Sequence, residues 1–248
     1  MDSSLTAAIK DNSFGLDWQP EMNDQARERV ATGLRSFFRR GAAAATTVLA
    51  ACAGRDALAQ SGNPHRLPNL HHGENAKQFE AIQTHENAHV QFLVQALGAM
   101  ARPKPTFQNL VQPHLVAFVQ TSRALENTGV GAYLGAAPII ASKDYLAAAG
   151  SIVTIEARHA GYLNVLLDEI MTTNVFGDAQ NFELPLTQEQ VVHNASPFVA
   201  SLNGGPPLSF STIPSASNDI AILNFALALE YLEAEFYNIN VPLFIRRL

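Results

Sequence analysis

Beyond residue 73 the apolar residues recur at alternating steps of three and four, the period of an α-helix buried on one face. Four segments carry that pattern. In 74–100 the stripe runs Phe79, Ile82, Glu86, His89, Leu93, Ala96 and Met100, and Pro103 and Pro105 stop it. In 114–134 it runs Leu115, Val119, Ser122, Glu126, Gly129 and Tyr133, with Pro138 beyond. The segment 143–170 has Ser142 in position to cap it and a stripe of Ala149, Ile152, Glu156, His159, Leu163, Leu166 and Ile170. The last, 219–240, follows a Ser217-Asn218 cap signal, runs Leu223, Leu227, Glu230, Ala234 and Tyr237, and is ended by Pro242. Little reads as strand, so the pattern predicts an all-α domain over 74–240 and a tail over 241–248. The connection from 171 to 218 is long enough to cross a helical bundle in any direction, and its Asn203-Gly-Gly-Pro-Pro207 stretch reads as loop.

Every stripe contains an ionisable residue where an inward face should be apolar. A lone buried carboxylate costs several kcal/mol, so each must be neutralised, paired or bound to a metal. None of the four stripes carries a Lys or Arg as partner. Glu86-x-x-His89 and Glu156-x-x-His159 each set a carboxylate and an imidazole one turn apart, as chelation of one ion requires. Glu126 and Glu230 stand alone, each followed seven residues on by a tyrosine, Tyr133 and Tyr237. Composition alone would give fewer than one Glu-x-x-His pair, so the weight lies in the position of these residues on apolar stripes. Glu233, one turn beyond Glu230, competes with it; Glu230 is preferred for its stripe position and its spacing to Tyr237.

Composition narrows the function classes. Of 248 residues 47% are hydrophobic and the net charge is −6, which suits one folded domain and excludes a nucleic-acid-binding reading. The single Cys52 excludes a disulfide framework and a Cys-rich zinc module. Residues 1–59 are charge-neutral, and all of the negative excess lies in 60–248. Arg39-Arg40 precedes a weakly apolar run of about 14 residues and an Ala57-Leu58-Ala59 small-x-small site. Residues 1–59 are therefore expected to be an export leader resembling a twin-arginine signal, with 60–73 a linker. Leu49-Ala50-Ala51-Cys52 also resembles a lipoprotein signal, which makes Cys52 a candidate for lipidation and for a lipid anchor. The expected location is exported: periplasmic, extracellular or membrane-anchored. His65, His71 and His72 beside prolines read as linker, and His114 and His193 are not read as ligands.

Ile222 to Tyr237, His85 to His89, Leu125 to Pro138 and Ile155 to Ala160 resemble the ferritin-like superfamily, in its bacterial branch grouped with the desiccation-related proteins of plants. The resemblance covers most of 74–240. It implies an antiparallel four-helix bundle with Glu86, His89, Glu126, Glu156, His159 and Glu230 as metal ligands, and Tyr133 and Tyr237 supporting them from behind. In that family the helix resembling 222–237 usually comes first; here it is last. Either the bundle is circularly permuted, or Glu230 completes a neighbour's site, or the chain is a fragment of a longer protein.

These readings lead to an exported protein binding two metal ions. Iron is favoured, with manganese or zinc as alternatives, and the reaction is oxidation of Fe(II) by O2 or peroxide in stress protection, in a chain that can assemble as a homo-oligomer. Two rivals stand beside it. One is a non-enzymatic protective bundle. The other is a zinc metallopeptidase, because His85-Glu86-Asn87-Ala88-His89 fits His-Glu-x-x-His.

Overall fold

Residue 67 and residues 74–245 are described by the structure, a computed structural model. The expected leader with Arg39, Arg40 and Cys52, the three linker histidines and the terminal Arg246-Arg247 lie outside them. Among the described residues there are five α-helices: α1 Glu74–Leu97, α2 Leu115–Ala136, α3 Lys143–Leu166, α4 Gln188–Ala195 and α5 Ala216–Phe244. Two short strands, β1 Thr106–Phe107 and β2 Val199–Ser201, pair antiparallel. No helix among the described residues is long and apolar enough to cross a membrane.

The long helices match the four expected segments, with differences at their ends that have local causes. Helix α3 stops at Leu166, and the expected stripe residue Ile170 is exposed. Asp168 takes a left-handed conformation at φ 62°, and Glu169 N–H and Asp168 N–H reach back to the carbonyls of Asn164 and Val165. That is a Schellman cap with Asp where glycine is usual, so the composition hid it. Met100 likewise leaves its stripe, exposed in a 3-10 turn after α1.

At the other end of the domain, α5 runs through Pro242 rather than stopping before it. Pro242 costs about 3 kcal/mol inside a helix. Val241 and Ile245 are fully buried beside it, each worth about 1.5–3 kcal/mol, so continuing is favoured. The start of α5 is capped by Ser215, whose hydroxyl accepts from Asn218 N–H, two residues ahead of the expected signal. Ser142 caps α3 as expected. His114 caps α2, its Nδ1 accepting from Ala117 N–H.

Helix α1 packs along α5, α2 packs along α3, and α2 also meets α5. Gln83 bonds Asn238 while Arg102 N–H donates to Asn224 Oδ1, so α1 and α5 run antiparallel. Contacts of Arg123 with Asn164 and of Glu126 with His159 give α2 and α3 the same relation. Along all four helices the apolar stripes split into two clusters. Phe79, Phe118, Leu163 and Phe236 belong to one; Leu93, Leu97, Ile152 and Leu227 belong to the other. On α1 and α3 the ionisable residues fall between them in sequence, so the polar layer has an apolar cluster on either side.

The long connection is docked rather than loose. Helix α4 begins with a capping box, Thr187 and Gln190 each accepting from the other's backbone N–H. Leu186 N–H donates to the Gly131 carbonyl at 2.9 Å. A Cβ on Gly131 would strike the Leu186 side chain, and one on Gly135 would strike its carbonyl, so both glycines are required by this close approach. Asp219, almost fully buried, accepts from Ala141 and Ser142 N–H at 2.8 Å each and ties the start of α5 to the start of α3.

Two glycine substitutions of opposite sign test this arrangement. Gly150→Ala, in α3 with open space around it, should raise stability by up to about 1 kcal/mol through helix propensity. Gly135→Ala should lower it by about 1–3 kcal/mol by displacing Leu186. Thermal melts of the two variants check both; equal gains would show that the connection does not press on α2.

Candidate metal centre

Because the stripes face inward, the structure brings all six expected ligands into one interior. Glu86, Glu126, Glu156 and Glu230 are at most 1% exposed, and His89 and His159 are buried with them. Helix α1 supplies Glu86 and His89, α3 supplies Glu156 and His159, α2 supplies Glu126 and α5 supplies Glu230. Glu230 reaches the centre from within the same chain.

His89 Nδ1 lies 3.3 Å from Glu86 Oε2, 3.1 Å from Glu156 Oε1 and 3.3 Å from Glu230 Oε2. His159 Nδ1 lies 3.0 Å from Glu86 Oε1 and 3.0 Å from Glu126 Oε2. A ring nitrogen carries one proton and cannot satisfy three oxygens at once. Glu86 Oε1, both oxygens of Glu156 and Glu230 Oε2 are buried without a hydrogen bond. Imidazole nitrogens and unpartnered carboxylate oxygens aimed at common points are the donor set of a divalent cation.

The donors sort into two groups of four. Glu86, His89, Glu156 and Glu230 offer ligand atoms within 4.8 Å of one another, as do Glu86, Glu126, Glu156 and His159. Glu86 and Glu156 belong to both. The two unshared carboxylates are held from behind in a reciprocal way. Tyr133 on α2 donates to Glu230 Oε1 at 2.5 Å, and Tyr237 on α5 donates to Glu126 Oε1 at 2.6 Å. The equal Glu-to-Tyr spacing on α2 and α5 is thereby explained: each tyrosine serves the glutamate of the opposite helix.

Sequence reasoning weighed Glu233 only as a rival to Glu230. It is a fifth buried glutamate, beside the centre but outside both groups of four. A Cβ on Gly129 would lie 3.0 Å from Glu156 Oε2 and 3.3 Å from Glu233 Oε1, so the absent side chain makes room for both. His85 was expected off the stripe. It is exposed, yet its Nδ1 sits 2.9 Å from His159 Nε2. It does not join His89 around a common point, as a His-Glu-x-x-His zinc site would need. His114 serves as a cap and His193 lies in the last turn of α4, so neither belongs to the centre.

The electrostatics follow from burial and crowding. Burial raises the Glu86 carboxyl above its ordinary range, helped by Glu126. Burial, with Glu86 next, raises Glu156 much further, and burial with Glu126 raises Glu233. Burial opposes the charge on the two imidazoles, but the facing carboxylates outweigh it. His159, held chiefly by Glu126, is pushed up to about 11, and His89, facing Glu156 and Glu230, is raised as well. Tyr133 and Tyr237 are raised by burial and by the glutamates they serve. The centre therefore retains positive charge tightly, as protons or as cations.

A profile of the ferritin-like domain family matches residues 35–169 and 218–243, well over half of the chain and all six of these ligands. The first stretch opens inside the segment expected to be a leader. No curated protein and no solved structure matches the chain significantly.

Every resolved shift among the acids and imidazoles of the cluster makes the folded chain hold protons more tightly than the unfolded one. Chelator-treated protein should thus lose stability as pH rises from the ordinary carboxylate value of 4.5 toward about 11. Thermal melts across that range should show a falling midpoint. Added divalent cations should restore most at the alkaline end, and a midpoint rising with pH in chelator would contradict the charge assignment.

Proposed function

We propose that this chain, which belongs to the ferritin-like family, holds two metal ions in a carboxylate-bridged centre and uses it to oxidise Fe(II) with O2 or peroxide. The observation that carries the reading is the pair of overlapping four-residue groups sharing Glu86 and Glu156. An antiparallel four-helix bundle with its usual first helix placed last, in the branch grouped with desiccation-related proteins, is the form of the fold that this reading adopts. Iron is the preferred metal, because mixed carboxylate and imidazole donors suit it; manganese or zinc are alternatives for the same donors.

In this reading Glu86 and Glu156 would be shared by the two ions, His89 and Glu230 would complete one position, and His159 and Glu126 would complete the other. Iron held there would supply electrons to the oxidant. The chain's own residues do the rest. The apolar clusters flanking the polar layer limit water at the centre. Tyr133 and Tyr237 fix the orientation of the unshared carboxylates, turning the second oxygen of each toward the imidazole of its group. Protons held by the carboxyls and imidazoles leave as cations enter.

Stress protection by an exported protein, free or anchored through a lipidated Cys52, completes the proposal, with assembly into a homo-oligomer as a further element. Its support is the arginine pair and small-x-small site in the sequence. Purified protein should contain two iron or manganese ions per chain by elemental analysis. Aerobic Fe(II) should be oxidised faster than in buffer, and Glu126→Ala should reduce the rate to that of buffer; an unchanged rate in that variant sinks the assignment. Export is tested separately, by the N-terminus of protein recovered from the native envelope. A terminus following Ala59, or a lipidated Cys52, is expected, and an intact Met1 would overturn processing.

A further inference from the structure

The two groups of four mirror one another in their carboxylates and differ at their imidazoles. His159 presents Nδ1 to Glu86 and Glu126, and its other ring nitrogen, Nε2, lies 2.9 Å from His85 Nδ1. The two ring planes are only 5° apart. His89 presents Nδ1 to three carboxylates, and no described residue bonds its Nε2. The position before Glu156 that corresponds to His85 before Glu86 is held by Ile155, which has no side-chain acceptor.

An imidazole that ligates through Nδ1 must carry its proton on Nε2, and that proton needs an acceptor. The acceptor fixes the tautomer, stops the ring from turning and makes the ligating nitrogen a better donor. His85 offers this to His159, and no described residue offers it to His89. Building on the two-ion reading, we propose that His85 is a positioning residue that makes the His159–Glu126 position the tighter of the two cation sites. The His89–Glu230 position then fills second. His85 touches no ligand carboxylate in this role; it acts only through His159.

Repulsion between two dications gives stepwise binding by itself, so the test separates the positions. Glu230→Ala leaves the His159 position and Glu126→Ala leaves the His89 position. Each full-length variant, stripped with chelator and checked for helicity by circular dichroism, is titrated with Co(II) alone by calorimetry and visible absorption. Glu230→Ala should bind one Co(II) more tightly than Glu126→Ala does. Adding His85→Ala should weaken the first by roughly 10–100-fold and leave the second unchanged. His85→Asn, whose side-chain carbonyl can accept from His159 Nε2, should recover most of the loss. The ¹⁵N shifts of His159 should report a proton on Nε2 in the Co(II)-free and, with diamagnetic Zn(II), the loaded protein. An equal effect of His85→Ala in both backgrounds, or no effect in either, overturns the role of His85. Failure of the unsubstituted protein to bind two Co(II) overturns the two-ion reading instead.

Discussion

Mutual repulsion among Glu86, Glu126, Glu156, Glu230 and Glu233, all within a few per cent of full burial, is the constraint that the rest of this structure answers. Among the described residues no lysine or arginine pairs with them; the ion-pair partners of the first four are His89 and His159. A dry interior magnifies the cost of unbalanced charge, so such a layer persists only if protons or cations sit within it. The apolar clusters flanking that layer confine the charge to one zone and supply the burial energy that offsets it. Fold stability and metal affinity are in this sense one quantity.

The helices meet the constraint by facing one another in antiparallel pairs. That arrangement places Glu86 opposite His159 and Glu156 opposite His89, so each chelating pair completes the other. It also lets Tyr133 and Tyr237 cross between α2 and α5 to orient each other's glutamates. Elements far from the centre keep those registers. Asp219 locks the starts of α3 and α5 together, and Leu186 seats the connection on the glycine face of α2. Arg102, buried at the end of α1, bonds Asn224 and the Pro206 carbonyl, joining α1, α5 and the loop.

The near-symmetry of the centre is broken at two places. Glu233 on α5 lies one turn from Glu230, while the matching place after Glu126 is Gly129, whose missing side chain leaves the room that Glu233 and Glu156 occupy. His85 backs one imidazole only. A centre built from repeated halves thereby acquires two chemically different sides, one richer in carboxylate and the other steadied by a second imidazole.

The four long helices, their inward stripes and the six ionisable residues on them were legible in the sequence, because they depend on the fixed 3.6-residue period and on the cost of burying charge. Both are local or statistical properties that a single chain displays. Helix ends were less legible where the capping residue was unusual: Asp168 in a glycine role, His114 in a serine role, and Pro242 overruled by the burial of Val241 and Ile245. The capping box at Thr187 was a readable signal for α4 within a stretch taken as loop. What only tertiary structure decided is which donors gather in which group of four, which tyrosine serves which glutamate, and that His85 stands behind His159. The tyrosine and His85 pairings lie between residues 74 to 111 positions apart, and all of them are set by the rotation and register of packed helices. Periodicity along one helix says which residues face inward; it carries no information about what they will find there.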